Sequence, residues 1–130
     1  VLLALDTTVL IDHLRGRPVM HRIDQLLDRG VTLATTAIIV EEIVRGLRDS
    51  ERAAAERLVA GLVVLPITAE AAWRAGEWRR QFAARGVTLW QADCLIAATA
   101  FLAGADLATG NPKDFPMADL VVQHWPVGEE

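Results

Sequence analysis

The stretch Leu2-Leu3-Ala4-Leu5-Asp6-Thr7-Thr8-Val9-Leu10-Ile11-Asp12 constrains the fold of this chain more than any other. Its opening apolar run suits a short strand buried on both faces, as in the middle of a parallel sheet. The run stops on a carboxylate, and two hydroxyl residues and a second apolar run follow. In an open α/β sheet, ligands bind in the crevice beyond the carboxyl ends of the strands, and Asp6 falls at that position. A function at this end of the sheet requires further polar groups to join Asp6 there.

The remaining pattern supplies elements that can bring them. Thr8 to Leu14 suits a short helix with Thr7 or Thr8 as its N-cap, and Arg15-Gly16-Arg17-Pro18 breaks it. Met20, Ile23, Leu26 and Leu27 recur at helical spacing, Gly30 ends that helix, and Val31 to Thr35 reads as a strand. Thr36 is placed to cap a helix running through Ile38, Glu42 and Leu47. Gly46 inside it is expected to mark a close backbone approach. A helix over Ser50 to Leu62 leads to a strand at Val63 to Ile67, where Pro66 implies a sheet edge or a strand end. Thr68 caps a long helix reaching Arg85, and a further helix spans Ala92 to Ala103. Asp106 to Thr109 is the next strand, then a turn over Gly110 to Pro116, then a last strand at Leu120 to Val122. Strands alternating with helices define an α/β fold with a mainly parallel sheet.

Size and charge narrow the function. A chain of 130 residues, 52% hydrophobic, is expected to be one domain over 1–130. No apolar run reaches the length of a membrane span and no basic leader region is seen, so a soluble, cytoplasmic protein without a membrane partner is expected. A single cysteine, Cys94, excludes an intrachain disulfide and argues against a cysteine zinc site. The net charge of −4 is the wrong sign for holding nucleic acid by bulk charge. A nucleic-acid substrate would need a local source of positive charge, and a divalent cation is the simplest.

Acids that do not fit a core point the same way. Asp93 shares its helix with Ile96, Ala97 and Ala100, so a carboxylate faces an apolar stripe. Such a group protonates or finds a cation, although an Asp in a first helical turn is also favoured by the helix dipole. Glu42, bracketed by Ile38, Ile39, Ile43 and Gly46, lies nearer the apolar side of its helix than Glu41, which has Arg45 four residues on. Asp114 lies in a Pro-bounded turn where Asp is common. Each acid alone is ordinary. Together, two at strand ends and two on helices that can pack beside them form a set of hard oxygen donors suited to Mg²⁺ or Mn²⁺.

At this point the chain closely resembles the PIN-domain family, and within it the VapC-type toxins of VapBC toxin–antitoxin pairs. The resemblance rests on Leu5-Asp6-Thr7-Thr8-Val9-Leu10-Ile11-Asp12, Val40-Glu41-Glu42-Ile43-Val44-Arg45-Gly46, Asp93-Cys94-Leu95-Ile96-Ala97-Ala98-Thr99-Ala100 and Thr109-Gly110-Asn111-Pro112-Lys113-Asp114-Phe115. It implies a PIN-like three-layer fold, with a mainly parallel central sheet flanked by helices. It also implies an endoribonuclease dependent on Mg²⁺, with Mn²⁺ as an alternative. Asp6 and Asp93 would be the principal metal ligands, with Glu42 and Asp114 completing the catalytic acids and Asn111 as a supporting polar group. Relatives often carry Ser where this chain has Thr8. Its hydroxyl is expected to orient Asp6 or a metal-bound water, and Thr109 to act likewise from the other strand end. The partners implied are RNA, a cognate VapB-type antitoxin and a second copy of the chain.

Other residues carry weaker readings. His13, His21 and His124 lack metal-ligand spacing, and Cys94 belongs to the core. Trp73 and Trp78 fit burial or a dimer interface, Trp90 is placed to border the site, and Arg15 and Arg17 are candidate phosphate contacts. A haloacid-dehalogenase-type phosphohydrolase needs a second Asp where Thr8 stands. The remaining alternative is a PIN domain that binds RNA or a protein without cutting.

Overall fold

The computed structural model describes residues 2–129. Five strands form one sheet in the order β3-β2-β1-β4-β5, and every pairing is parallel. The elements are β1 (Leu2–Leu5), α1 (Thr7–Leu14), α2 (Val19–Asp28), β2 (Thr32–Thr36), α3 (Ala37–Gly46), α4 (Arg52–Ala60), β3 (Val63–Leu65), α5 (Ala69–Ala83), α6 (Gln91–Leu102), β4 (Ala105–Thr109) and β5 (Val122–His124). Parallel strands need crossover connections, and the helices supply them while covering the sheet.

The apolar run of β1 takes the centre. Leu3, Ala4 and Leu5 are buried, with β2 on one side in the register Leu3↔Leu33 and β4 on the other in the register Ala4↔Leu107. From β1 the chain builds outward through β2 to β3, then returns to lay β4 against the opposite edge of β1. The strand order therefore reverses between β1 and β4. That is the switch point at which an open parallel sheet leaves a crevice at its carboxyl end.

Two expected caps are present. Thr36 Oγ1 accepts the Ile39 N–H at 3.2 Å, and Thr68 Oγ1 accepts the Ala71 N–H at 3.0 Å. β3 is an edge strand and Pro66 lies just beyond it, where the missing N–H removes no ladder bond.

Several expectations are corrected. Neither Thr7 nor Thr8 is the N-cap of α1. Asp6 occupies that position, and its side chain makes no capping bond. Gly46 ends α3 at an exposed position, and a Cβ there would meet nothing within 4 Å, so no close approach requires it. The helix expected over Ser50 to Leu62 instead opens as a 3-10 turn, Asp49–Glu51, and is α-helical over Arg52–Ala60. The last strand is Val122–His124, because pairing with β4 aligns Leu107 with Val122; Leu120 is buried ahead of it.

α5 and α6 pack through Trp78, which is 3% exposed and meets Phe101 edge-on with ring centroids 6.1 Å apart. Trp73, on the same helix, is 75% exposed, so burial within the fold is not its role. The two tryptophans should separate in a stability assay. Trp78→Ala is expected to cost ~3–5 kcal/mol in urea unfolding, and Trp73→Ala to stay within ~0.5 kcal/mol of the parent at concentrations where the chain is monomeric.

Candidate active site

Asp6 ends β1 and starts α1 at once. Its N–H donates to the Ala108 carbonyl at 2.9 Å, which carries the β1–β4 ladder one step past the strand, while its own carbonyl accepts the Val9 and Leu10 N–H groups. The side chain is therefore held between the carboxyl ends of β1 and β4, only 6% exposed. Thr109, at the end of β4, donates its hydroxyl to Asp6 Oδ2 at 2.7 Å. The same Oγ1 accepts the Asn111 N–H at 3.0 Å.

Three further elements bring acids to Asp6. Glu42 projects from α3, and Thr7 Oγ1 donates to its Oε1 at 2.7 Å. Asp93 lies in the first turn of α6. Asp114 ends a single 3-10 turn, Pro112–Asp114, whose closing bond runs from the Asp114 N–H to the Asn111 carbonyl at 3.1 Å. The mutual electrostatics express this convergence. Burial first, and then the charges of Asp114, Asp6 and Glu42, push the Asp93 carboxyl up to about 6. That elevation prevails over the helix N-terminus, which favours a carboxylate. Burial also raises the pKa of Asp6. The Thr109 hydroxyl and the Thr7 N–H oppose that rise, and Glu42 and Asp114 add to it.

Among the described residues, the neighbouring charges that raise the Asp6 and Asp93 pKa values are all carboxylates. Like charges crowded in a partly buried site are the environment that a divalent cation relieves, and all four side chains offer hard oxygen donors. Among the described residues, no three acidic, histidine or cysteine side chains stand close enough to clasp an ion unaided. Mg²⁺ commonly takes one or two carboxylates and completes its shell with water and substrate phosphate, so an open cluster fits it.

The supporting residues divide differently from expectation. Thr109 orients Asp6, but Thr8 does not. Its Oγ1 accepts the Gly110 N–H at 2.9 Å and so ties down the following turn. Asn111 engages this network through its backbone, and its side chain is exposed. Arg17 is no free phosphate contact, because Nη1 pairs with Asp12 Oδ1 at 2.9 Å. Arg15 is exposed, and so is Trp90, at 71%, in the N-cap position of α6 three residues before Asp93. Trp125 is buried, with the Arg22 guanidinium 3.8 Å from its ring centroid, and so is withdrawn from base stacking. Sequence reasoning missed Thr7, whose partner lies 35 residues away. It also missed Asp12, whose burial to 2% exposure leaves no local trace beyond an acid on an apolar helix.

The PIN-domain family profile matches residues 3–119. Ribonuclease VapC19 of Mycobacterium tuberculosis is 35% identical over 114 residues, covering 87% of this chain and 91% of that protein. Ribonuclease VapC10 of the same organism is 36% identical over 118 residues, covering 89% and 87% respectively. Among solved structures, VapBC-1 from nontypeable Haemophilus influenzae aligns with a TM-score of 0.81 at 27% identity, over 96% of this chain and 98% of that one. VapBC2 from Rickettsia felis, bound to a DNA fragment from its promoter, shares the fold with a TM-score of 0.84 at 21% identity, over 96% and 99%. The chain belongs to the PIN-domain family. Its five-stranded parallel sheet flanked by helices is the PIN-like architecture of these VapC structures.

The raised Asp93 pKa has a stability consequence with a definite sign. A carboxyl whose folded pKa exceeds its unfolded value, here about 6 against 3.8, destabilises the fold while ionised. That penalty is full above pH 6 and is relieved as the pH falls through about 6. Asp93→Asn in EDTA is therefore expected to raise Tm at pH 7.5 by a few degrees, on the order of 2–6 °C. The advantage should shrink steadily towards pH 4.5. Equal Tm values for the two proteins across that range would contradict the crowding of acids.

Proposed function

We propose that this chain is a Mg²⁺- or Mn²⁺-dependent endoribonuclease acting as the toxin of a type II toxin–antitoxin pair. The observation that carries this reading is the placement of Asp6, Glu42, Asp93 and Asp114, from four different elements, within electrostatic reach at the sheet's switch point. Membership of the PIN family and likeness to proteins named ribonuclease VapC support the chemistry. Likeness to toxins solved as VapBC complexes supports a VapB-type antitoxin as partner.

When bound, the ion would supply positive charge for the scissile phosphate and lower the pKa of an attacking water. Asp6 and Asp93 are assigned as its ligands, and Glu42 and Asp114 complete the acidic set. Thr109 and Thr7 keep Asp6 and Glu42 in fixed rotamers through their 2.7 Å hydrogen bonds. Held in this way, the carboxylates would fix the position of the ion, which would stabilise the developing negative charge without reorganisation at the moment of reaction. Trp90 offers an exposed aromatic face beside Asp93 on which an unpaired base can stack. A protein partner would find apolar surface between α3 and α4, lined by Ile43, Val44, Leu47, Ala55 and Val59, on the helix that also carries Glu42. A homodimer would cover Trp73. No helix among the described residues is long and apolar enough to cross a membrane.

The test is cleavage of a broad RNA panel by the purified protein, with Mg²⁺ or Mn²⁺ against EDTA. Cutting should require the metal, and Asp6→Asn should lower it by about two orders of magnitude or more. Cutting that survives both EDTA and the substitution would refute the assigned site. No cutting of any RNA while the protein still binds it would favour a binding-only PIN domain. Trp90→Ala should weaken RNA binding by ~1–3 kcal/mol, and Trp90→Phe should retain most of it. Binding unaffected by Trp90→Ala would remove the stacking role.

A further inference from the structure

Asp12 is a buried carboxylate that lies outside the acidic cluster, and one of its two partners lies far along the chain. Oδ1 accepts from Arg17 Nη1 at 2.9 Å, and Oδ2 accepts the Gly128 N–H at 2.9 Å. Thr8 stands four residues earlier on α1, and positions four apart share a helix face. This one face therefore binds two separate backbone N–H groups: Thr8 takes that of Gly110, and Asp12 takes that of Gly128.

Between these two anchor points the C-terminal segment passes beside the turn that follows β4. The Trp125 N–H donates to the Thr109 carbonyl at 2.8 Å, and the buried Trp125 ring lies beneath Arg22. Val127 then packs against Gly110 so tightly that a Cβ on Gly110 would lie 2.9 Å from Val127 Cγ2 and 3.3 Å from Thr8 Oγ1. Gly128, with φ +81°, reverses the chain so that its N–H meets Asp12. Gly110 is thus gripped between α1 and the C-terminal segment. It sits between Thr109, which holds Asp6, and Asn111, which opens the turn carrying Asp114.

We propose that Asp12 is a positioning residue for the acidic site. By anchoring Gly128 it presses Val127 onto Gly110, and so fixes the Thr109–Asp114 turn relative to Asp6. The inference rests on the reading that Asp114 belongs to the site. It assigns no contact between Asp12 and substrate or metal. It gives the segment 125–128 a role that its distance in sequence from the acids of the site conceals. Arg17 is not the active element: it neutralises the carboxylate, and the Gly128 bond does the positioning.

Hydrogen exchange resolved to residues 109–114, read beside RNA cleavage in Asp12→Ala, Asp12→Asn and Arg17→Ala, tests this. Asp12→Ala should speed exchange at Gly110 and Asn111 by about tenfold or more. It should also lower kcat by about tenfold with KM within about twofold, at temperatures where the variant is folded. Asp12→Asn retains an acceptor for Gly128 and should restore both readouts. Arg17→Ala should lower Tm while leaving exchange at 110 and 111 unchanged. Independently, Gly110→Ala should impair cleavage, and adding Val127→Ala should recover it by making room.

A fall in Tm for Asp12→Ala with unaltered exchange over 109–114 would overturn the proposal. So would faster exchange with unchanged kcat, or failure of Asp12→Asn to rescue. Should the parent protein cut no RNA, the functional reading fails, and the exchange pattern alone decides whether Asp12 holds the turn.

Discussion

The hydrogen bond from Thr109 to Asp6 joins the carboxyl ends of two neighbouring parallel strands where the strand order reverses, and the rest of the site depends on it. A carboxylate this deeply buried needs a donor, and the hydroxyl from the next strand provides one without bringing a positive charge. The arrangement fixes the direction of Asp6 while leaving the site's electrostatics wholly acidic. The sheet supplies the rigidity: β1 is flanked on both sides, so its end has little freedom to shift. The helices only have to deliver Glu42 and Asp93 to a point the strands have already defined.

That acidity opposes the fold that contains it. Burial, and then three neighbouring carboxylates, raise the pKa of Asp93, and folding in the absence of a counter-charge proceeds against that desolvation and repulsion. The surrounding contacts are of the ordinary kind: a buried apolar sheet, capped helices and Trp78 wedged against Phe101. The crowding of like charges in the crevice is what is expected where function competes with stability.

Much of this was legible in the amino-acid order, for physical reasons. An apolar run ending on Asp marks a central strand with a carboxylate at its tip, and Asp93 reveals itself as a charge on an otherwise apolar helix. Glu42 and Asp114 are ordinary residues in ordinary places, and only the shared pattern of four segments singled them out. The hydroxyls were harder. Thr7, Thr8 and Thr109 are chemically alike, and which one reaches which partner depends on helix phase and on the side of β1 that β4 occupies. Asp12 was illegible because its partner, Gly128, is 116 positions away and contributes only a backbone N–H. The last strand was misplaced by two residues because β-branching marks Val121 and Val122 equally, whereas pairing with Leu107 selects one register.

The position of β4 also bears on when the crevice can exist. The chain lays down β1, β2 and β3 in order, but the neighbour that closes the other side of β1 spans residues 105–109, after all three. Until that strand leaves the ribosome, Asp6 has neither Thr109 nor Asp114 beside it, and one edge of β1 stands unpaired. The acidic crevice is therefore complete only once β4, the fourth strand along the chain, has docked on β1 and brought Thr109 and the turn carrying Asp114 to Asp6.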